Sequence, residues 1–330
     1  MKAREFSQLI EDIKMGKIYS STDIVFKALE ALEQLAKSAE SLNELVKLYR
    51  DTLPNLIKAR PASAMLANSV REILKATLDA SRKRADIKEV LEEVTRRRRE
   101  VMRRINDAIN LAAAIASRRI QDGDVILTNS YSKSVLRAFE MAKERGIEFS
   151  VYVTESRPGS EGLLTASRVS DMKIPVTLFV DSAVRYFMKD VDKVLISCEA
   201  VAANGAVVNK IGTSLIALSA HEARVRVFVM AITYKFNPET IFGELIEIAE
   251  EEPQAPFLQD MKTRTQGAIK ALSPLFDVTP PEYIDAIITE RGIIAPQAVT
   301  TVLKEIYGWP FKLEDIDGLL RELESVTKVK

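Results

Sequence analysis

From Gly123 onward the chain alternates short apolar runs with helical stretches, and this alternation narrows the fold more than any other feature. Val125–Thr128 precedes Ser134–Arg145, Phe149–Val153 precedes Leu163–Met172, and Val176–Val180 precedes Ala183–Met188. Val194–Ser197 precedes Ser214–Ala223, Val227–Met230 follows, and Tyr283–Ile288 leads to Gln297–Ile306. Strands that are apolar along their whole length must be covered on both faces, as in a parallel sheet between helices. The expected class is α/β, with a helical N-terminal domain over 1–118 and a Rossmann-like parallel-sheet domain over 119–330. In such sheets ligands bind at the carboxyl ends of the strands, where Asn129–Lys133, Glu155–Arg157, Asp181 and Glu199 converge on one crevice.

Before Gly123 the period is helical. Ser20 and Asp23 are spaced as a capping box ahead of Val25, Ala28, Leu29, Leu32, Leu35 and Ala36. Ile87, Val90, Val94, Val101, Ile105 and Ile109 repeat every three to four residues, with Glu92/Arg96, Glu93/Arg97 and Glu100/Arg104 four apart, which predicts one long helix. Its run Arg96–Arg99 invites a nucleic-acid reading, but four consecutive residues cannot share a helix face and acidic residues flank them. A solvated, ion-paired or partner-contacting surface is expected there.

Composition excludes whole classes of function. The 330 residues carry 47 basic and 47 acidic side chains, so no net field favours nucleic acid. Cys198 is the one cysteine and His221 the one histidine, which leaves no disulfide framework, zinc cluster or Ser-His-Asp triad and fits a reducing cytoplasm. No GxGxxG or GxxxxGK[ST] occurs, so no nicotinamide or ATP cofactor is expected and no metal. No apolar run is long enough to span a bilayer.

The stretch Val201–Thr213, VAANGAVVNKIGT, reads as a loop feeding a helix N-terminus, with Asn209 and Lys210 beside it. Backbone N–H groups, the helix dipole and an ammonium suit a phosphate there. The alternative is a plain strand-to-helix connection in which Asn and Gly supply turn geometry.

Together with TESRPGSEG (Thr154–Gly162), YKFNPET (Tyr234–Thr240) and DVTPPEYIDAIITERGIIAP (Asp277–Pro296), this stretch resembles one family. It unites translation initiation factor 2B regulatory subunits, ribose 1,5-bisphosphate isomerase and methylthioribose 1-phosphate isomerase. The resemblance covers roughly Arg60 to Pro310.

The resemblance implies a sugar-phosphate pocket. In the isomerases a first-strand T-x-C-x-S-K motif supplies a catalytic thiol and a later Gly-Ala-Asp the partner acid; here Ser130 and Glu199 hold those positions. Tyr19-Ser20-Ser21-Thr22 stands where the isomerases carry an Arg-Gly-Ala-Gly phosphate loop. Arg60, Lys133, Arg157, Asn209, Lys210 and Lys235 are the ligand-binding candidates, and Cys198 is expected as a small buried hydrophobe. A serine hydroxyl needs an adjacent base, and an extra methylene displaces the acid, so the changes imply a pocket that binds rather than reacts. The expectation is an initiation-factor-2B-like regulatory subunit holding a sugar phosphate or nucleoside monophosphate, with translation initiation factor 2 as partner. The alternative is a ribose 1,5-bisphosphate isomerase in which Ser130 and Glu199 still move the proton. A homo-oligomer is expected, with Tyr283 through Tyr307 and Trp309 contributing to an isologous interface, and no contact with nucleic acid or membrane.

Overall fold

The computed structural model describes residues 3–83, 86–248, 274–311 and 313–328. Five helices come first: α1 (Ala3–Lys14), α2 (Ser21–Ala36), α3 (Leu42–Lys58), α4 (Ala64–Arg82) and α5 (Ile87–Ser117). Ser20 caps α2 in an extended conformation, its hydroxyl accepting from the Asp23 amide at 3.3 Å. The expected box is only half built, because the shorter Asp23 carboxylate turns outward to Lys133 Nζ at 2.5 Å. A full capping box closes instead at α5, where Asp86 accepts from the Glu89 amide at 2.8 Å and Glu89 reaches back to the Asp86 amide at 3.3 Å.

The arginine run lies on α5 as ion-paired surface. Arg96 meets Glu93 and Glu100, Arg97 approaches Glu72, and Arg98 reaches across to Glu33 on α2.

The alternating region builds β1 (Val125–Thr128), α6 (Lys133–Glu144), β2 (Ser150–Thr154), α7 (Glu161–Asp171), β3 (Val176–Phe179), α8 (Val184–Phe187) and β4 (Lys193–Ser197). There follow β5 (Ala200–Val201), β6 (Val207–Lys210), α9 (Thr213–Ala223), β7 (Arg226–Met230), β8 (Phe276–Thr279), β9 (Ala286–Thr289) and β10 (Gly292–Ile294). Helices α10 (Val299–Tyr307) and α11 (Ile316–Lys328) complete the order.

Seven strands form one sheet in the order β10-β9-β7-β4-β1-β2-β3, parallel except for the antiparallel β9/β10 hairpin. The two-residue strand period sends alternate side chains to two cores. Ile126, Leu195, Met230 and Ile288 join the core shared with α1–α6 and α11. Their neighbours Leu127, Val194, Ile196, Val229 and Ile287 join the opposite core with α9 and α10. Strand β3 departs from the covered pattern because it is the sheet edge, and Leu178 there is exposed.

Val201–Thr213 differs from the expected loop. Ala200–Val201 pairs antiparallel with Val207–Val208, and β6 continues onto β8, making a separate three-stranded sheet beside the carboxyl end of β4. Gly205 makes the hairpin turn at φ +87°, and a Cβ there would lie 2.4 Å from the Pro296 carbonyl oxygen. Only glycine fits such a position.

Candidate functional site

The chain runs from β1 outward to β3, then crosses back to β4 on the other side of β1. Such a reversal leaves a crevice outside the strand ends. Asn129–Ser134 line it after β1, Ser197–Glu199 after β4, Asn209 and Lys210 from the small sheet, Lys235 after β7, and Tyr19–Thr22 from the start of α2.

Glu199 is 6% exposed and faces Arg60, which lies between α3 and α4. The guanidinium grips the carboxylate with both arms, Nη2–Oε1 at 2.6 Å and Nε–Oε2 at 3.3 Å. Burial pushes the Glu199 carboxyl up, but the charges of Arg60, Lys235 and Lys210 outweigh it and hold the group below its ordinary value. Glu199 is therefore an ionised, buried base at neutral pH. Arg60 differs from the open phosphate cation expected from the sequence, because its charge is committed to this carboxylate.

Lys210 likewise meets a carboxylate, Glu161 at the start of α7, at 2.7 Å. Phe276 from β8 lies under both cations, with the Arg60 guanidinium carbon 5.1 Å and Lys210 Nζ 5.2 Å from its ring centre. Lys133 is held by Asp23 at the pocket rim. Arg157 stands apart from the pocket lining, donating to the Ser160 hydroxyl at 3.1 Å. Lys235 differs from the other pocket cations: among the described residues it bonds only neutral groups, the Cys198 carbonyl at 2.6 Å and the Ser197 hydroxyl at 3.0 Å.

Ser130, two residues beyond β1, lies in the left-handed region, φ +56°. The Ser156 hydroxyl accepts from its amide at 2.7 Å and the Thr165 hydroxyl donates to its carbonyl, so both backbone groups are fixed and the side chain faces the pocket. Asn209 and Asn129 both give their amide N–H to Thr213 Oγ1, at 3.0 and 2.9 Å, while that hydroxyl donates to the Lys210 carbonyl. Asn209 thus keeps an acceptor oxygen for a ligand, which suits a sugar hydroxyl better than a phosphate.

The N-terminus of α9 is occupied from within the chain. Asp277 Oδ2 accepts from the amides of Gly212 at 2.8 Å and Ser214 at 3.1 Å, so the carboxylate sits where the sequence suggested a phosphate. Cys198 is buried in the core, and burial pushes its thiol up to about 12, the positive Lys235 only partly opposing this. His221 lies exposed on α9 against the Tyr283 ring, 5.3 Å between centroids, and outside the pocket lining.

The residues that sequence reasoning missed are the partners Glu161, Asp277 and Phe276, while Asp23 was marked only as a helix cap and Ser156 only as part of a strand-end loop. Glu161 and Asp277 sit inside the motifs TESRPGSEG and DVTPPEY, and an acid beside a strand end was the available signal.

Residues 17–296 match the model of the initiation factor 2 subunit family. Ribose 1,5-bisphosphate isomerase from Pyrococcus furiosus is 39% identical over 317 residues, 96% of this chain and 98% of that protein. The enzyme of that name from Methanocaldococcus jannaschii is 41% identical, covering 91% and 94%. A solved structure of translation initiation factor eIF-2B from Pyrococcus horikoshii OT3 superposes with TM-score 0.76 at 29% identity, covering 90% of this chain and 98% of that one.

These relatives overturn the expectation of a regulatory subunit. Six archaeal proteins named ribose 1,5-bisphosphate isomerase match at 32–41% identity over 90–96% of the chain, which favours the alternative. Ser130 and Glu199 do not leave the strand ends without reactive groups: a buried carboxylate and a buried ammonium stand there.

Proposed function

This chain belongs to the initiation factor 2 subunit family, and from that premise we propose that it isomerises ribose 1,5-bisphosphate to ribulose 1,5-bisphosphate. The observation that carries the reading is the ionised Glu199 carboxylate at the β1/β4 switch point, with Arg60 on one side and Lys235 beside the same pocket. An aldose-to-ketose conversion moves hydrogen from C2 to C1 and the carbonyl oxidation level from C1 to C2. Because C1 carries a phosphate ester, the ring C1–O4 bond must break as well. Glu199 takes the C2 proton and returns it to C1, while the proton of the 2-hydroxyl passes to O4 as the C2 carbonyl forms, and the Arg60 contacts leave further lone pairs of Glu199 free for this. Lys235 has one ammonium hydrogen left over from its two protein bonds, and it donates to the oxygen on which negative charge develops. Ser130, which lacks a thiol's acidity, holds a substrate hydroxyl rather than carrying the proton.

With Lys133 and Lys210 already paired to carboxylates, neutral donors carry much of the phosphate binding here. The starts of α2 and α6 both open into the pocket through Tyr19–Thr22 and Ser130–Ser134, so helix dipoles and hydroxyls stand in for the arginine loop. Self-association of the chain through the exposed Ile306 and Trp309 at the end of α10 is part of the same reading, and a monomeric mass at micromolar concentration would exclude it.

The test is direct. Purified protein mixed with ribose 1,5-bisphosphate should form ribulose 1,5-bisphosphate at roughly 1–10³ per second. Glu199→Gln should lower kcat by about 10²–10⁴-fold. No ketose product from the folded wild type overturns the proposal.

A further inference from the structure

Lys235 is 4% exposed and sits at the end of a single 3-10 turn, Thr233–Lys235. Such a turn is weakly bonded, and a lysine side chain has four rotatable bonds, so something else must set where its ammonium lies. Ser197 and Cys198 hold the ammonium directly, and Asn68 on α4 holds the backbone from which the side chain springs. Its Nδ2 donates to the Tyr234 carbonyl at 2.9 Å and to the Phe236 carbonyl at 3.0 Å, the two carbonyls that flank Lys235.

The amide can face only one way. Asn68 Oδ1 accepts from Arg71 Nη1 at 2.6 Å, and the Tyr307 hydroxyl lies 3.5 Å away. A flipped amide would set N–H groups against a guanidinium and an oxygen against two carbonyl oxygens. Arg71 is fixed in turn by Glu239 and by the Glu314 carbonyl at 3.0 Å. Glu72, one helical turn beyond Asn68, accepts from the Tyr234 hydroxyl at 2.6 Å. One face of α4 therefore holds the residues on either side of Lys235, while Glu290 holds Thr233 at the start of the turn. The same segment is tied to the Glu199 side by the Asn237 amide, which donates to the Val201 carbonyl at 2.8 Å.

We propose that Asn68 is a positioning residue for the isomerisation, fixing the Lys235 ammonium against the Glu199 strand end through the carbonyls on either side of it. This rests on the role given to Lys235 above. A displacement of about 1 Å at a reacting group is worth about 10²-fold in rate.

The experiment compares Asn68→Asp, which keeps the size and removes both donors, with Asn68→Ala, each in the wild type and in a Lys235→Ala background. Steady-state turnover of ribose 1,5-bisphosphate should show kcat lowered roughly 10²-fold, with KM nearly unchanged, in the wild-type background. In the Lys235→Ala background the same substitutions should cost almost nothing more, because the two residues act as a unit. Equal losses in both backgrounds overturn the proposal, since a residue serving only the fold would cost the same whether or not Lys235 is present. A second readout needs no turnover: acetic anhydride labelling of Lys235 against Lys210, followed by mass spectrometry. Lys235 should label several-fold faster in folded Asn68→Asp, with Lys210 unchanged. If the wild type makes no product, the isomerase reading fails alone and the labelling decides the clamp. Equal Lys235 labelling in wild type and folded variant overturns it.

Discussion

Glu199 and Arg60 show how a single contact sets both stability and chemistry. Removing one partner of a buried pair strands the other charge, so Arg60→Met should cost about 3–5 kcal/mol in urea unfolding near neutral pH. The pH dependence has a definite sign. The folded Glu199 carboxyl lies below its ordinary value of 4.5, so its contribution is present above that value and is lost as pH falls through the lower folded one. The stability gap between wild type and Arg60→Met should therefore narrow in acid below about pH 4.5. A gap that stays constant to about pH 3 would show that the pair contributes nothing. Glu199, Lys210, Lys235 and Ser130 were legible in the sequence because strand ends and short motifs mark them. Arg60 was marked too, but not its pairing: Arg60 and Glu199 are separated by 139 positions, and pairing across such a distance follows from packing rather than from any local pattern.

At the scale of elements, the strand-helix alternation was readable because full burial leaves a continuous apolar run, as in β1, β4 and β7. The β5/β6 hairpin was not. Its strands are short, and its Asn and Gly served equally well for a loop. Asp277 capping α9 yields a testable case. Burial raises its carboxyl to about 6 from 3.8, against the two backbone amides that lower it. A raised acid binds its proton more tightly when folded, so this stability is full below 3.8 and is lost as pH rises through about 6. Asp277→Asn keeps an acceptor for the amides without the buried charge. It should gain on the wild type between about pH 4 and 6 and hold that gain above. A gap independent of pH in urea unfolding contradicts this. Gly162 tests the seating of α7 on β2: a Cβ there would fall 1.8 Å from the Thr154 carbonyl oxygen. Gly162→Ala should cost about 3 kcal/mol or more, read as a lowered melting temperature.

Across the whole molecule, the N-terminal helices share one core with one face of the sheet, and that helical layer is closed by the last helix described. Leu319, Leu320 and Leu323 of α11 are buried in the same cluster as Leu53 and Leu56 of α3 and Leu74 and Leu78 of α4, and Arg50 meets Glu324 across the contact at 2.8 Å. Leu323→Ala should cost about 2–5 kcal/mol although it lies far from the site, and guanidinium unfolding would measure it. A loss under about 0.5 kcal/mol would mean that α11 does not hold the layer. The position of α11 also has a consequence in time. The apolar seat on α3 and α4 leaves the ribosome long before its occupant. At about 5–20 residues per second, the intervening chain from Arg82 to Ile316 takes roughly 10–50 s to make. For that interval the seat lacks α11 to cover it, so a newborn chain of this protein is most open to other apolar surfaces while its sheet is still being written.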